Sequence, residues 1–447
     1  IIGGELRKHR SDGVRAPGAA PGAGRRAPPG VGGVGHTAAM THTTGWDAAV
    51  GVDWSKLCHA YGAAHDTPAH LRALTDGDAD AVRRALKHLC SAVVHQGTPW
   101  PVTAPAARVV AGLLAEESLS RPAAAPVGAA GEAGAPLRSA LLSFLAGVAE
   151  AGCPHLDDAE LRAAAFPAGV APERVDAAPE AVLDGDATEW PDASGAVEAL
   201  TARAVLDLRA AAPALLDAVV PHLADGEPLT RMHAAHAAAA LAVLVGDAAR
   251  REDLADRVAA AARRAVRRDE RACLVLALGD LGRAPRAFLA DPDPAVRACA
   301  ALAPALAGDP DAVGELLAAL ADPAAADAWF THRPPQFPHH VRFTLVRAAA
   351  ERVDDFARLL PAACAVAAVA GPFTADFDWG PLLCAAFPTP LSGAAVGADL
   401  TDAQRAYLRA LVANESLWRG RVGNAALALR RVGLPEDRES CRRLAAS

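Results

Sequence analysis

Apolar residues recur every three or four positions from about residue 66 onward, most regularly across 66–97 and 223–308. Val82, Ala85, Leu86 and Leu89 fall at i, i+3, i+4 and i+7, one face of a helix. Val296, Cys299, Ala300 and Ala303 repeat that spacing. An acidic turn precedes each stripe, "TDGDADAVRRALKHL" at 75–89 and "ADPDPAVRACAALA" at 290–303. In these turns Asp76 or Asp78, and Asp291 or Asp293, supply N-cap and turn chemistry.

The pattern carries further marks. An arginine stands just after the start of a helical stripe at Arg83, Arg231, Arg271, Arg297 and Arg342. Cys273 and Cys299 each follow such an arginine by two residues, and both pairs are 26 residues apart. A shorter helix is predicted ahead of four of these stripes: "TPAHLRAL", "PALLDAVVPHL", "APRAFLA" and "DAVGELLAAL". The unit is helix, acidic Pro/Gly turn, helix. One such pair cannot bury its apolar face alone, so the pairs must stack. The expectation is an all-α solenoid of roughly eight to ten helix pairs.

The repeat can be matched to a family. "DPDPAVRACAALAPAL" resembles the HEAT repeat, in particular its short form, the PBS-lyase HEAT-like repeat. That resemblance runs over roughly 60–440 and implies a right-handed solenoid of stacked antiparallel helix pairs. It also implies that the turn aspartates and helix arginines, here Asp76, Arg83, Arg231, Arg271, Asp291, Arg297 and Arg342, form a structural ladder between neighbouring repeats. "HAYGAAHDTPAHLRAL", "HQGTPWPVTAPA" and "DWGPLLCAAFP" are similar to HEAT-repeat proteins of high-GC actinobacteria, which implies a fold and no activity.

Four stretches leave the pattern. Residues 1–39 are rich in Gly, Pro and Arg and lack apolar periodicity, which predicts a disordered tail. The segment reads as a tail or an over-long translation with Met40 as the start; a basic regulatory arm is the rival reading. Residues 40–65 read as an N-terminal cap, 66–400 as the solenoid, and 401–447 as two helices and a polar closing helix. Within the solenoid, 118–136, 167–195 and 322–340 read as loop insertions, longer than ordinary connections.

Composition narrows the class. Hydrophobic residues are 52% of the chain but aromatics only 4%, so much of the apolar content is Ala, which suits closely packed helices. Net charge is −8, and the chain beyond residue 39 is at −12, with 38 basic and 50 acidic residues. Such a field repels phosphates, so no nucleic-acid partner is expected. Leu359 to Ala375, the longest uncharged run, is broken by Pro361 and Pro372, and no membrane span is expected. The eight Cys show no CxxC pair and read as reduced, buried residues of a cytoplasmic protein.

Candidate chemistry is sparse. His233 and His236 have a spacing that can bind metal, but no neighbouring residue in the sequence completes a ligand set, so no metal or other cofactor is expected. The iron-binding HEAT-like hydroxylases use His-Glu dyads, and no His here precedes Glu. The DNA-glycosylase relatives need a basic face, which this chain lacks. The bilin lyases that lend the repeat its name remain the alternative, an enzyme or chromophore-handling role. In "HQGTPWP", His95, Gln96 and Trp100 could form a binding corner, or Gly97 could end the helix while Trp100 covers the first repeat. The insertion at 322–340 gathers Trp329, Phe330 and Phe337 between Pro334, Pro335 and Pro338. These aromatics read as partner anchors or as a cover over a groove between repeats. The reading as a whole is a monomeric, non-enzymatic scaffold that binds a protein partner.

Overall fold

The computed structural model describes residues 43–122, 135–153, 156–171, 173–174, 177–179, 193–391, 400–420 and 423–446. The stretch 1–39 and parts of 118–136 and 167–195 lie outside them. The described chain is mostly helical. Its helices are α1 (Thr67–Asp76), α2 (Ala79–His88), α3 (Thr103–Leu113), α4 (Leu137–Ala151), α5 (Asp158–Ala165) and α6 (Ala193–Val219). Then follow α7 (Pro228–Val245), α8 (Ala248–Arg264), α9 (Arg268–Asp280), α10 (Pro294–Ala301), α11 (Pro310–Leu320) and α12 (Pro323–Asp327). The last are α13 (Val341–Arg352), α14 (Phe356–Val369), α15 (Trp379–Ala386), α16 (Asp402–Ala413), α17 (Gly423–Arg431) and α18 (Arg438–Ala446). No helix among the described residues is long and apolar enough to cross a membrane.

Local chemistry starts most of these helices. Asp78, Asp247, Asp293, Asp309 and Asp355 each accept backbone N–H groups of the first turn, satisfying donors that have no partner inside the helix. Asp291 is not an N-cap: its carboxylate accepts the backbone N–H of Asp293 and faces Arg271. The two sequence stripes are buried throughout, with Val82, Leu86 and Leu89, and Val296, Cys299 and Ala300, all inside the core.

Two expected short helices turn out differently. "PALLDAVVPHL" is no separate helix; most of it ends α6, which runs 27 residues straight through Pro213. Proline removes one helical bond, yet packing of α6 against α3, α5 and α7 holds the helix on both sides of it. "APRAFLA" forms only a 3-10 turn at Arg286–Ala290, because Pro285 and the short span leave no room for a helix.

The helices lie in two rows. Contacts join α4 to α7, α9 and α10, and α13 to α15 and α17, as a first row; the turn at 286–290, α11, α14, α16 and α18 make a second. In the first row α4, α7 and α9 run parallel: Ser139 meets Thr230, and Arg231 meets Glu270, near the start of each helix. One continuous core runs between the rows from Ala64 to Ala445.

Buried or half-buried ion pairs stitch successive elements. Arg138 donates to the carbonyls of Leu114 and Glu116, both at 2.9 Å, and reaches Asp225 at 3.2 Å. Arg231 grips both oxygens of Glu270 at 2.6 and 2.8 Å and donates to the carbonyl of Asp225. Arg271 stands 2.9 Å from Asp291, and Arg297 donates to Glu315 at 2.8 Å and to the carbonyl of Asp291. Arg342, itself buried, joins Asp327 on α12 to Asp378 ahead of α15. Among the described residues Arg83 takes no part: its ion pair is with Asp80 in its own helix. Asp76 is exposed at the end of α1.

The N-terminal end closes differently. The 3-10 turn Gly45–Ala49 lies so close on α3 that a side chain at Gly112 would meet the backbone nitrogen of Gly45 at 2.1 Å. Two short hairpins follow, β1 (Cys58–His59) with β2 (Gly62–Ala63), and β3 (Val94–His95) with β4 (Thr98–Pro99). Helical periodicity gave no sign of them. Gln96 and Gly97 take φ of 51° and 80°, the two left-handed positions of a tight hairpin turn. Gly97 therefore turns a hairpin, where a helix C-cap was expected.

Candidate functional site

Residues 328–340, between α12 and α13, cross the first row as a strap. Pro334, Pro335 and Pro338 keep it out of helix. Arg268 on α9 donates to the carbonyl of Trp329 at 2.8 Å, and Asp269 accepts the backbone N–H of His332 at 2.7 Å. The amide of Gln336 donates to the carbonyl of Cys273 at 3.2 Å. These bonds turn the aromatics inward. Phe337 is 1% exposed, and Trp329 and Phe330 are partly buried on the core, with Phe330 stacked 6.0 Å from Phe337. Phe337 thus fills the protein and is closed to a partner. The exposed rings lie elsewhere: Phe373 is 76% and Phe377 45% exposed, the latter stacked 5.3 Å from Phe343.

The strap walls a groove of about 510 Å³ between α9, α10 and α13. Asp280, Cys299, Gln336, Thr344, Arg347 and Glu351 line it. A second cavity of about 450 Å³ opens on the other flank of the strap, against Met232, Asp269 and Trp329.

Asp280, the last residue of α9, gives the groove its electrostatic character. Its carboxyl is reachable from solvent, yet protein surrounds it closely, and that desolvation pushes its pKa up to about 6. A hydrogen bond with Gln336 pulls the other way, and the charge of Glu150 on α4 adds to the rise. α7, packed on both α4 and α9, carries His233 and His236. Burial pulls both imidazoles down to about 4, so they are neutral at pH 7, and each leaves a buried Nδ1 without a partner. His236 Nε2 stands 3.6 Å from Glu150 Oε1, whose side chain is 65% exposed though the protein packed around it raises its pKa. The histidine pair, which lacked a carboxylate in the sequence, therefore has one from the end of α4. Burial pushes the thiols of Cys273 and Cys299 far up, so neither is a thiolate nucleophile at pH 7. What the groove offers chemically is hydrogen bonding, with charges of both signs, Asp280 and Glu351 beside Arg347 and Arg352, along its walls.

The corner at His95, Gln96 and Trp100 is a separate place. Gln96 is exposed at the hairpin turn, while Trp100 lies against Cys58 and the Ala196–Leu200 face of α6, its indole N–H buried and unpaired. His95 bonds the carbonyl of Ser91 at 2.8 Å and the hydroxyl of Tyr61 at 3.3 Å. Beside it, His59, Asp66 and His88 gather three potential ligand atoms within 4.8 Å of one another. Their bonding does not suit an ion. The backbone N–H of Tyr61 donates to His59 Nδ1 at 3.1 Å, so the neutral ring carries its proton on Nε2, facing Asp66 Oδ1 at 3.2 Å. The nitrogen that would meet a metal is a donor. His88 bonds Thr67 at 2.9 Å and stacks on His70 at 4.3 Å, and burial pulls its pKa down to about 4.

Sequence reading passed over Glu150, Asp280 and Gln336. Asp280 had one signal: it is the charge that ends the apolar run "CLVLALG". Glu150 and Gln336 had none, since each acts through residues far away in the chain. Compared with protein-family models, with curated proteins and with solved structures, the chain matches none.

Proposed function

We propose that this protein is a non-enzymatic HEAT-like solenoid that binds a protein partner along its first row, with the groove beside the strap as the contact site. The observation that carries the reading is the groove itself: about 510 Å³, open to solvent, and built on helices fixed to one another by arginine–acid pairs. A binding site on a rigid, cross-linked floor loses little entropy when it is filled. Its polar groups are suited to recognition, and the one thiol that lines it, Cys299, is held protonated by burial. The strap aromatics serve this reading as a wall, not as anchors.

The test is a groove-filling variant, Thr344→Trp, compared with wild type in affinity capture from the host. The expected result is a stoichiometric protein partner with wild type and its loss with the variant, thermal unfolding being unchanged. A partner retained by Thr344→Trp moves the contact off this groove. A visible absorption band from a bound chromophore in the purified protein would overturn the scaffold reading in favour of the lyase-type one.

A further inference from the structure

We propose that the turn between α8 and α9 is a contact surface separate from the groove, and that it takes an acidic segment of a partner protein with one apolar residue among its acids. The chain there reads Arg263, Arg264, Ala265, Val266, Arg267, Arg268. Arg268 is committed to Asp293 and to the carbonyl of Trp329. Arg263, Arg264 and Arg267 are exposed, and none has an ion pair among the described residues. Nowhere else among those residues do three unpaired arginines stand so close in the chain. Val266, between them, is 95% exposed, the most exposed large apolar side chain that is described. The fold accounts for only part of this charge. Arg263 and Arg264 stand in the last turn of α8, where cations suit the helix dipole. Arg267 has no such reason. It holds the cap position of α9, where five other helices carry an aspartate that accepts their first N–H groups, and its side chain makes no cap bond. A cation at a helix start opposes the dipole, and like charges this close repel one another. A local rule broken without a gain to the fold is the mark of a working surface.

A cavity adjoins the turn. The one of about 450 Å³ on the other flank of the strap is lined by Arg267 and Arg268, with Leu229, Met232 and Trp329 as its apolar wall. It holds acids as well. Glu270 is gripped by Arg231 and Asp269 is bonded by the N–H of His332, but Glu227 is exposed. The cavity therefore suits an apolar side chain, while the acids of the segment stay outside, on the arginines at its edge. Each of those contacts is charge-assisted, and a guanidinium can hold a carboxylate by two bonds. A nucleic acid fits less well, because a long run of phosphates also meets the remainder of a chain that stands at −12 beyond residue 39. A short acidic segment meets the turn alone, since charges beyond about one Debye length (~8 Å) are screened.

The probes are three short dye-labelled peptides: a run of Glu with a central Leu, the same run with Ser in place of Leu, and a run of Gln that keeps the Leu. They are titrated against the full chain at pH 7.5 and low salt by fluorescence anisotropy. The Glu–Leu peptide should bind about tenfold or more tighter than the Gln peptide and several-fold tighter than the Ser peptide, and should weaken as salt is added. Arg263→Gln with Arg264→Gln and Arg267→Gln should bring the Glu–Leu peptide down to the level of the Gln one. The control is Arg84→Gln with Arg358→Gln and Arg431→Gln, exposed arginines without ion pairs elsewhere among the described residues; it removes the same charge and should leave binding unchanged. All six side chains are exposed, so both variants should unfold at the wild-type temperature. Equal binding of the Glu and Gln peptides, no binding by any, a preference that survives the first variant, or an equal loss in the control overturns the proposal. So does a Ser peptide that binds as well as the Leu one, or a duplex DNA of equal charge that binds tighter through the same three arginines. Thr344→Trp should leave the peptide bound, since Thr344 lines the groove and not this cavity, so the two contacts stand or fall separately.

Discussion

The first helix pair and the middle of the molecule start from nearly the same words and end with different bonds. α2 begins "DADAVRRAL" and α10 begins "DPAVRACAAL"; each has an aspartate N-cap, then an arginine on the turn after it. Arg297 crosses to Glu315 on α11, in line with Arg231 and Arg271 before it. Arg83 turns back on Asp80 and stays half-exposed. The motif thus makes a helix wherever it occurs, but it makes a cross-link only where the next element brings an acid within reach. The N-terminal end, lacking that neighbour, is closed by Trp46 and Trp100 on the core and by the hydrogen-bonded cluster of His59, Asp66 and His88.

The comparison breaks hardest at Arg342. Removing it as Arg342→Ala leaves Asp378, which has no exposed surface, without its cation, and Asp327 loses its partner as well. Loss of one member of a buried pair costs about 3–5 kcal/mol. Chemical denaturation should therefore show a larger drop for Arg342→Ala than for the same truncation of any other arginine on the rows. A loss under about 1 kcal/mol would mean that Asp378 simply takes up a proton, a route open to it because burial already raises its pKa.

Arg231→Ala set against Arg83→Ala tests the contrast directly. The first strands the buried Glu270 and should cost about 1–3 kcal/mol. The second removes an exposed pair within one helix and should stay within about 0.5 kcal/mol. Equal losses would show that the arginine serves its own helix in both places, and the cross-link would carry no stability of its own.

Acid gives the smallest effect and the subtlest comparison. His88 at the N-terminal end and His233 and His236 beside the groove all have pKa values pulled to about 4 from 6.5. Between those values the unfolded chain binds protons that the folded chain refuses, so their contribution to stability is present above pH 6.5 and is lost as pH falls toward 4. Asp280, raised from 3.8 to about 6, works in the opposite sense and favours the folded state as pH falls. Three imidazoles outweigh the raised carboxyls of Asp280, Glu150, Asp207 and Asp378, of which only Asp280 is moved far. The unfolding temperature should drop by a few degrees from pH 7.5 to pH 5, and less in His233→Gln with His236→Gln. An unfolding temperature that stays level or rises at pH 5 would contradict the burial of these rings.

The helical class, the buried faces and the aspartate caps were all legible in the sequence, because each depends on residues three or four positions apart on one helix. Arginine positions were legible for the same reason. Their partners were mostly not: Glu270, Glu315 and Asp378 are marked by nothing local, and the spacing from arginine to acid changes from pair to pair. The strap shows the limit from the other side. Its composition fits an exposed anchor as well as a buried cover, and Phe337 is settled only by three backbone and side-chain bonds that tie residues 329–336 to α9. The groove was wholly beyond reach, since Asp280, Cys299, Thr344 and Gln336 come from three helices and a loop. The sequence by itself determined the helices and which face each one buries, because those free energies add up locally. Only the tertiary structure decided which charges meet and which are left unpaired, because that depends on distances between segments that no local pattern encodes.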